Sequence, residues 1–182
     1  MASLTVAEFE EVIRHFDKES VHLEMRDSYG TEVELPHLAA WVAGEPNDLA
    51  VMEPWCADVR RFVTEGKSLR RAHVVSEPLS DYQRWAYSVV GASEDAGEEH
   101  RWVPRRLVSS IAFPGNDFWM LDHRLVIFHH YAGNGRNLDF TTSTDPHDVE
   151  LCSAAFEAVW SIGIPHRDFL RRACDDAFRA VV

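Results

Sequence analysis

The order of extended and helical segments in the middle of the chain constrains the fold more than any other feature of the sequence. Residues 69–75 form a β-rich run that stops at Ser76-Glu77-Pro78, and apolar residues then recur at helical spacing as far as Gly91. A second extended run follows the acidic loop beyond this helix. Crossover connections of this kind place two parallel strands side by side, with a right-handed connection in nearly all cases. We therefore predict parallel strands near residues 69–75 and 99–104 around a helix from about residue 79 to 90.

The N-terminal third predicts helices with one ambiguous segment. Thr5 and Glu8 form a capping box, and apolar residues at helical spacing extend the helix over Val6–Phe16. Residues 21–25 alternate between apolar and polar side chains, which fits either a short strand or a second helical turn. Two further short helices are bounded by Pro and Gly residues, at 36–44 and 55–64.

The C-terminal half predicts strands followed by helices. Residues 118–121 and 125–132 form a hairpin pattern, and a further strand fits 138–142. Asp145-Pro146 opens a helix that ends at Gly163, and a last helix runs from Arg167 towards Ala180. The prediction is therefore an α/β (or α+β) fold, in which N-terminal and C-terminal helices flank a mixed β-sheet with a central β-α-β unit, in a single domain of residues 1–182.

Composition excludes several classes of protein. The chain of 182 residues has a net charge of −12, whereas sequence-independent binding to duplex DNA needs a basic face. Its apolar runs are far shorter than the roughly 20 residues of a membrane span. Three cysteines at wide spacings, with no signal-like N-terminus, fit a reducing cytoplasm with no disulfide. We expect a cytoplasmic protein that binds neither duplex DNA nor membranes.

The common catalytic and metal-binding motifs are absent from the sequence. Gly133-Asn134-Gly135 begins like a dinucleotide-binding loop, but it lacks the third glycine and fits an ordinary loop between strands. His123, His129 and His130 lie near Asp122, but adjacent strand residues point to opposite faces of a sheet. We therefore predict no cofactor and no catalytic metal.

A candidate anion site lies where the first strand of the β-α-β unit meets its helix. Ligands gather beyond the carboxyl ends of such strands, and the first turn of the following helix offers unpaired N–H groups. We expect Ser76 to Ser80 to face a concavity that also receives Arg84 and one of the other arginines. The predicted ligand-binding residues are Arg71, Ser76, Glu77, Ser80, Tyr82, Arg84, Arg101 and Arg105.

Two polar residues are predicted to supply proton transfer if this site performs chemistry. They are His73, on the first strand, and Asp122, in the hairpin turn. The alternative is structural: Ser76 caps the helix, and the arginines pair with acidic residues on the surface.

The run Arg70-Arg71-Ala72-His73-Val74-Val75-Ser76-Glu77-Pro78-Leu79-Ser80-Asp81-Tyr82-Gln83-Arg84-Trp85 resembles the core motif of the actinobacterial domain-of-unknown-function family 6879. The likeness covers nearly the whole chain, from Phe9 to Ile164-Pro165. Genes of that family often stand beside those of helix-turn-helix regulators. The resemblance thus implies regulatory work with a helix-turn-helix regulator or another protein as partner, but no reaction.

The element order is also similar to one half of a phospholipase-D-like fold. That superfamily uses a His-x-Lys motif, whereas Lys18 and Lys67 follow Phe16 and Glu65 at the histidine position. The resemblance therefore implies a degenerate domain without the phosphodiesterase chemistry.

Two functions remain open from the sequence. The first is a non-catalytic module of a cytoplasmic regulatory system that binds a protein or a small anionic ligand, with a homodimer as one arrangement. The second is a transferase or hydrolase with an atypical Arg/His/Asp site acting on a phosphate-ester or aminoacyl-tRNA substrate. A polar pocket that joins His73, Arg84 and Asp122 would favour the enzyme.

Overall fold

The computed structural model describes residues 2–171. Their strands form one mixed eight-stranded sheet in the order β1-β7-β6-β5-β2-β3-β4-β8. The strands are β1 Ala2–Leu4, β2 Glu19–Glu24, β3 Ser68–Val75, β4 Glu99–Pro104, β5 Phe118–Leu121, β6 Leu125–Tyr131, β7 Asn137–Ser143 and β8 Ile164–Pro165. The α-helices are α1 Val6–Val12, α2 Glu34–Val42, α3 Glu53–Thr64, α4 Asp81–Ala96 and α5 Pro146–Ile162, and two short 3₁₀ helices lie at Leu49–Met52 and Arg105–Val108.

The predicted α/β fold with its central β-α-β unit is confirmed. Strands β3 and β4 pair in parallel around α4, and β2 joins them as a third parallel strand. Helix α4 is longer than predicted and ends at Gly97, whose φ of 114° is a conformation that a glycine adopts without strain. Its first turn is capped by the Ser80 side chain, so the expectation that Ser76 caps this helix is wrong.

The other elements largely follow their sequence signals. The Thr5–Glu8 capping box is present, although α1 ends at Val12 rather than Phe16. The segment left open between strand and helix is strand β2. Strands β5 and β6 form the predicted antiparallel hairpin, and Asp145 caps α5. Residues 166–171 are helical, and the rest of the predicted last helix lies outside the described residues.

Helices cover both faces of the sheet. On one face, α5 packs Cys152, Phe156 and Val159 against apolar side chains of the central strands. On the other face, α1, α3 and α4 contribute two apolar clusters, one containing Phe62 and one containing Trp85. This second face, which also holds the inward polar side chains of β2, β3 and β4, contains the candidate site.

Candidate functional site

Two rows of polar side chains cross the parallel strands on the face covered by α3 and α4. The first row is His22, Arg71 and His100, which are register partners on β2, β3 and β4. The second row begins with Glu24 and His73, two residues further along β2 and β3. Side chains two residues apart in a strand share one face, so the rows lie next to each other. The alternate residues of these strands, such as Val21 and Ala72, form the apolar core below α5.

Arg71 holds the centre of this polar surface. Its Nε donates to Glu98 Oε1 and its Nη1 donates to Glu24 Oε1, each at 2.9 Å. Trp55 Nε1 donates to the other oxygen of Glu98 at 2.6 Å. The Arg71 guanidinium also lies over the ring of Trp119, 5.1 Å from its centroid. Removing one partner of a buried ion pair costs about 3–5 kcal/mol, so this network fixes the positions of its members.

The carboxylates of this network stay ionised despite their burial. Burial acts to raise the pKa of Glu98, but Arg71 and then His100 outweigh it and hold the pKa well below its ordinary value. For Glu24, burial is likewise outweighed by His73 and Arg71, and its pKa also lies well below the usual range. The two carboxylates therefore carry their negative charges at neutral pH.

His73 extends the network away from Glu24 into the interior. Its Nδ1 lies 2.8 Å from Glu24 Oε2, and its Nε2 lies 3.0 Å from His100 Nδ1. His100 Nε2 in turn lies 2.8 Å from the Ser93 hydroxyl. Burial lowers the pKa of His73, so the ring is neutral: Nδ1–H donates to Glu24, and Nε2 accepts from His100. These two contacts place the single ring proton of His73 on Nδ1.

A cavity of about 400 Å³ opens beside this network, and we call it the sheet-face cavity. Six of its fourteen lining residues are Phe, Tyr or Trp, and these rings provide apolar surface beside polar and charged groups. The residues that line it are Phe9, Glu10, His22, Glu24, Tyr29, Thr31, Val33, Glu34, Trp55, Arg71, Tyr82, Trp119, His129 and Tyr131.

Two histidines in this wall have ring nitrogens without a hydrogen-bond partner in the described structure. They are both nitrogens of His22 and Nε2 of His129. The His22 ring stacks on Trp119 with centroids 4.1 Å apart, and His129 Nδ1 faces the Tyr131 hydroxyl at 2.8 Å. Burial, followed for His22 by the charge of Arg71, lowers both pKa values, that of His129 to about 4. Both rings are therefore neutral at neutral pH, and their unpaired nitrogens lie buried within the cavity wall, with His22 Nδ1 3.4 Å from Glu24 Oε1.

The opposite wall is built from groups that hydrogen-bond to one another. The Glu34 carboxylate, at the start of α2, accepts from the Thr31 and Tyr82 hydroxyls. The Tyr29 hydroxyl donates to Asp117, which also accepts from the Met25 backbone N–H at 2.9 Å. These bonds hold α2 and the loop before it against the sheet.

Three of the residues predicted from the sequence meet at the sheet-face cavity. Arg71 and Tyr82 line it, and His73 supports Glu24 from behind. The remaining predicted residues lie elsewhere, and their binding role stays a prediction.

The loop that contains Ser76 and Ser80 binds a carboxylate from the same chain. The Asp27 side chain accepts from the Ser76 backbone N–H at 2.7 Å and from the Ser76 hydroxyl at 2.6 Å. Arg105 completes this arrangement, since its Nε donates to Ser76 Oγ and its Nη2 to the Met25 carbonyl. The position where we expected a ligand anion is thus occupied by Asp27.

A concavity of about 320 Å³ does lie beside this loop, lined by Ser76, Glu77, Arg105, Arg106 and Ser109. Arg84 does not line this concavity; it lines a second one of about 500 Å³ together with Glu77, Pro78 and Leu79, and its guanidinium pairs with Asp81.

Arg101 and Asp122 serve structural contacts far from the cavity. Arg101 donates to the Trp160 carbonyl at 2.7 Å and lies over the Trp160 ring. Asp122, in the β5–β6 turn, accepts from the backbone N–H groups of residues 17–19. The pocket that would have joined His73, Arg84 and Asp122 is therefore not formed.

Residues 2–171 contain neither a grouped set of metal ligands nor a membrane-spanning helix. No three His, Cys, Asp or Glu side chains in this part of the chain are grouped so that they could hold a metal ion. None of its helices has the length and apolarity needed to cross a membrane. Cys56 and Cys152 are buried free thiols, and Cys174 lies outside the described residues.

Sequence reasoning missed most of the lining, including His22, Glu24, Glu34 and His129. A usable signal was present: in 21–25 and 71–74, charged or imidazole side chains alternate with apolar ones although both faces of the central strands are covered. Polar residues on the inner face of a covered strand indicate a buried network rather than a solvated face.

Comparison with known proteins gives a family match. The family model described as Domain of unknown function (DUF6879) matches residues 7–171. No curated protein matches the chain. The matched region contains every residue that lines the sheet-face cavity.

Proposed function

We propose that this chain, which belongs to the DUF6879 family, is a non-catalytic module that binds a small molecule in the sheet-face cavity. The observation that carries the proposal is the set of unpaired ring nitrogens of His22 and His129 in the cavity wall. A buried polar group without a partner costs about 1–3 kcal/mol, and a ligand that supplies the partner recovers this energy on binding. The volume of about 400 Å³ is within the range of small-molecule sites.

The cavity is preorganised for binding. Arg71, Glu24 and Glu98 hold one another in place from three strands, and Trp55 and Trp119 pack around them. A ligand that enters a wall already fixed by internal bonds orders few side chains, which favours affinity.

The character of the lining favours binding over covalent catalysis. Within the described chain, the lining residues include no Ser, Cys or Lys, and the carboxylates of Glu24 and Glu34 are held by internal hydrogen bonds. The predicted His73–Arg84–Asp122 constellation also has no counterpart in the fold.

A second candidate function rests on the same two histidines. A neutral imidazole with a free nitrogen can take a proton from a reacting substrate, so His22 or His129 could act as general base in a transferase or hydrolase. In this candidate function, His22 or His129 takes the acid–base role that the sequence predicted for His73 and Asp122.

The setting expected from the family resemblance is part of the proposal. It comprises a regulatory role in the cytoplasm, with a helix-turn-helix regulator or another protein, or a second copy of the chain, as partner. The cavity opens beside α2, where the side chains of Val33, Leu35 and Val42 are exposed. A ligand in the cavity could therefore alter the surface that such a partner contacts.

The test replaces His22 by Phe, which keeps a ring stacked on Trp119 but removes both unpaired nitrogens. A fragment set of cationic, anionic and neutral aromatic compounds is screened by melting temperature and by ¹⁵N chemical shifts of the histidine rings. We expect fragments that stabilise the protein to shift the His22 signals, and His22→Phe to weaken their binding at least about tenfold while the protein remains as stable or becomes more so.

His147→Phe, at an exposed position, is the matched control and should leave binding unchanged. The proposal is wrong if no fragment shifts the His22 or His129 signals, or if His22→Phe lowers stability and leaves binding intact.

A further inference from the structure

The charges of the sheet-face cavity identify the chemical class of its ligand. We infer that the cavity binds an organic cation, an amine or protonated nitrogen base attached to an aromatic group, with its charge beside Glu24 and Glu34. This inference rests on the proposed function and adds the sign of the ligand's charge, which is opposite to the anion expected from the sequence.

The positive charge of Arg71 is already neutralised by the protein. Among the lining residues of the described chain, Arg71 is the only Lys or Arg, and it bonds to both Glu24 and Glu98. These three groups together carry a net charge of −1, because both carboxylates are ionised. An anionic ligand would have to compete with two carboxylates for one guanidinium.

Glu34 adds a second carboxylate to the cavity, and the hydrogen-bond donors that contact it in the described residues are uncharged. Its two oxygens accept from the Thr31 and Tyr82 hydroxyls, at 2.5 and 3.0 Å. Burial is the main reason why the pKa of Glu34 is raised, and the charge of Glu24 adds to this effect. A ligand cation between Glu24 and Glu34 would remove their repulsion and favour the ionised form of Glu34.

Arg26 lies on the Tyr131 side of the cavity wall. Its guanidinium lies over the Tyr131 ring, 5.0 Å from the centroid, and its charge acts on Asp117 behind Tyr29. Arg26 therefore balances Asp117 rather than Glu34.

The aromatic walls favour the same ligand. Tyr29, Trp55, Tyr82 and Trp119 all line the cavity. Arg71 already lies over the Trp55 and Trp119 rings, and the faces of the two tyrosine rings can attract a further cation. An attached aromatic group can pack on the remaining ring surface. His22 and His129 then supply the directional hydrogen bonds.

The experiment compares three ligands that share an indole ring and differ in charge: tryptamine, 3-methylindole and indole-3-acetate. Binding to the full chain at neutral pH is measured by calorimetry and by the shift in melting temperature. We expect tryptamine to bind at least about tenfold more tightly than either other compound. We also expect Glu34→Gln to weaken tryptamine roughly tenfold without unfolding the protein, and Glu150→Gln, at an exposed position, to have no effect.

The wild-type comparison alone can overturn the inference, so it does not depend on the variants. Tighter binding of indole-3-acetate, or equal binding of 3-methylindole and tryptamine, would show that charge does not select the ligand, while the proposed function would stand. If none of the three binds but fragments still shift the His22 signals, the cation inference fails alone. If no fragment reaches His22 either, the proposed function fails with it.

Discussion

Individual residues on the inner face of the sheet carry charges that the surrounding fold must hold in place. Arg71 is the example: it could be placed in a site from the sequence because it lies in the dense 70–85 run, but its partners could not. Glu24 and Glu98 are distant in sequence, and their contact with Arg71 depends on strand register. The same reason explains why His22 escaped prediction, since its segment was left open between strand and helix.

The pKa of Asp117 provides a test at this scale. Burial raises its pKa from 3.8 to about 6, although the Tyr29 hydroxyl donates to it. The folded pKa is above the unfolded value, so the stabilising contribution of this group is complete below about pH 4 and is lost as the pH rises through 6. The shift predicts a loss of about 2 kcal/mol between pH 4 and 7.

Asp117→Asn removes this titration. We expect the difference in unfolding free energy between the wild type and Asp117→Asn to change in favour of the variant as the pH rises from 4 to 7. Urea unfolding at several pH values measures the difference, with the exposed Asp139→Asn variant as control. A difference that is constant over this range would contradict the raised pKa.

At the scale of elements, local signals predicted most of the fold. Capping residues located the starts of α1 and α5, and the β-α-β pattern gave the parallel pair β3 and β4. The start of α4 was misplaced because two serines, Ser76 and Ser80, are both good caps, and only tertiary contacts assign Ser76 to Asp27. The position of the segment before α2 could not be predicted from its own sequence. It depends on a close backbone contact with a residue that is distant in the chain.

That contact joins Gly30 to Gly135, in the loop between β6 and β7. The Gly30 N–H donates to the Gly135 carbonyl at 2.9 Å, and a Cβ on Gly135 would lie 3.0 Å from the Gly30 nitrogen. Gly135 also has a φ of 84°. We expect Gly135→Ala to destabilise the protein by about 1–3 kcal/mol and to weaken ligand binding, because Tyr29 and Tyr131 flank the contact.

Gly133→Ala is the matched control in the same loop, where an added Cβ has nothing within 4 Å. It should change stability by no more than about 0.5 kcal/mol. Chemical denaturation compares the stabilities of the two variants. Equal destabilisation at both positions would contradict the role of the Gly30–Gly135 contact in holding the cavity wall.

At the scale of the whole molecule, the sheet connects distant parts of the chain. Strand β1, at residues 2–4, pairs with β7, and β8, at residues 164–165, pairs with β4 at the opposite edge. The central strands contribute to both faces, since β2 and β3 carry the core below α5 on one side and the polar rows on the other. The cavity and the α5 core therefore share their backbone.

This arrangement predicts one cooperative unfolding transition for the eight-stranded sheet and its helices. Neither face can lose its helices without exposing apolar side chains of strands that the other face needs. We expect urea unfolding followed by tryptophan fluorescence to coincide with unfolding followed by far-UV circular dichroism. Trp160 reports on the α5 face, and Trp102 and Trp119 report on the cavity face.

A cavity ligand such as tryptamine should raise both midpoints equally, because it binds only the folded state. Two separate midpoints, or a ligand shift confined to one probe, would divide the chain into independent units and contradict the coupling through β2 and β3.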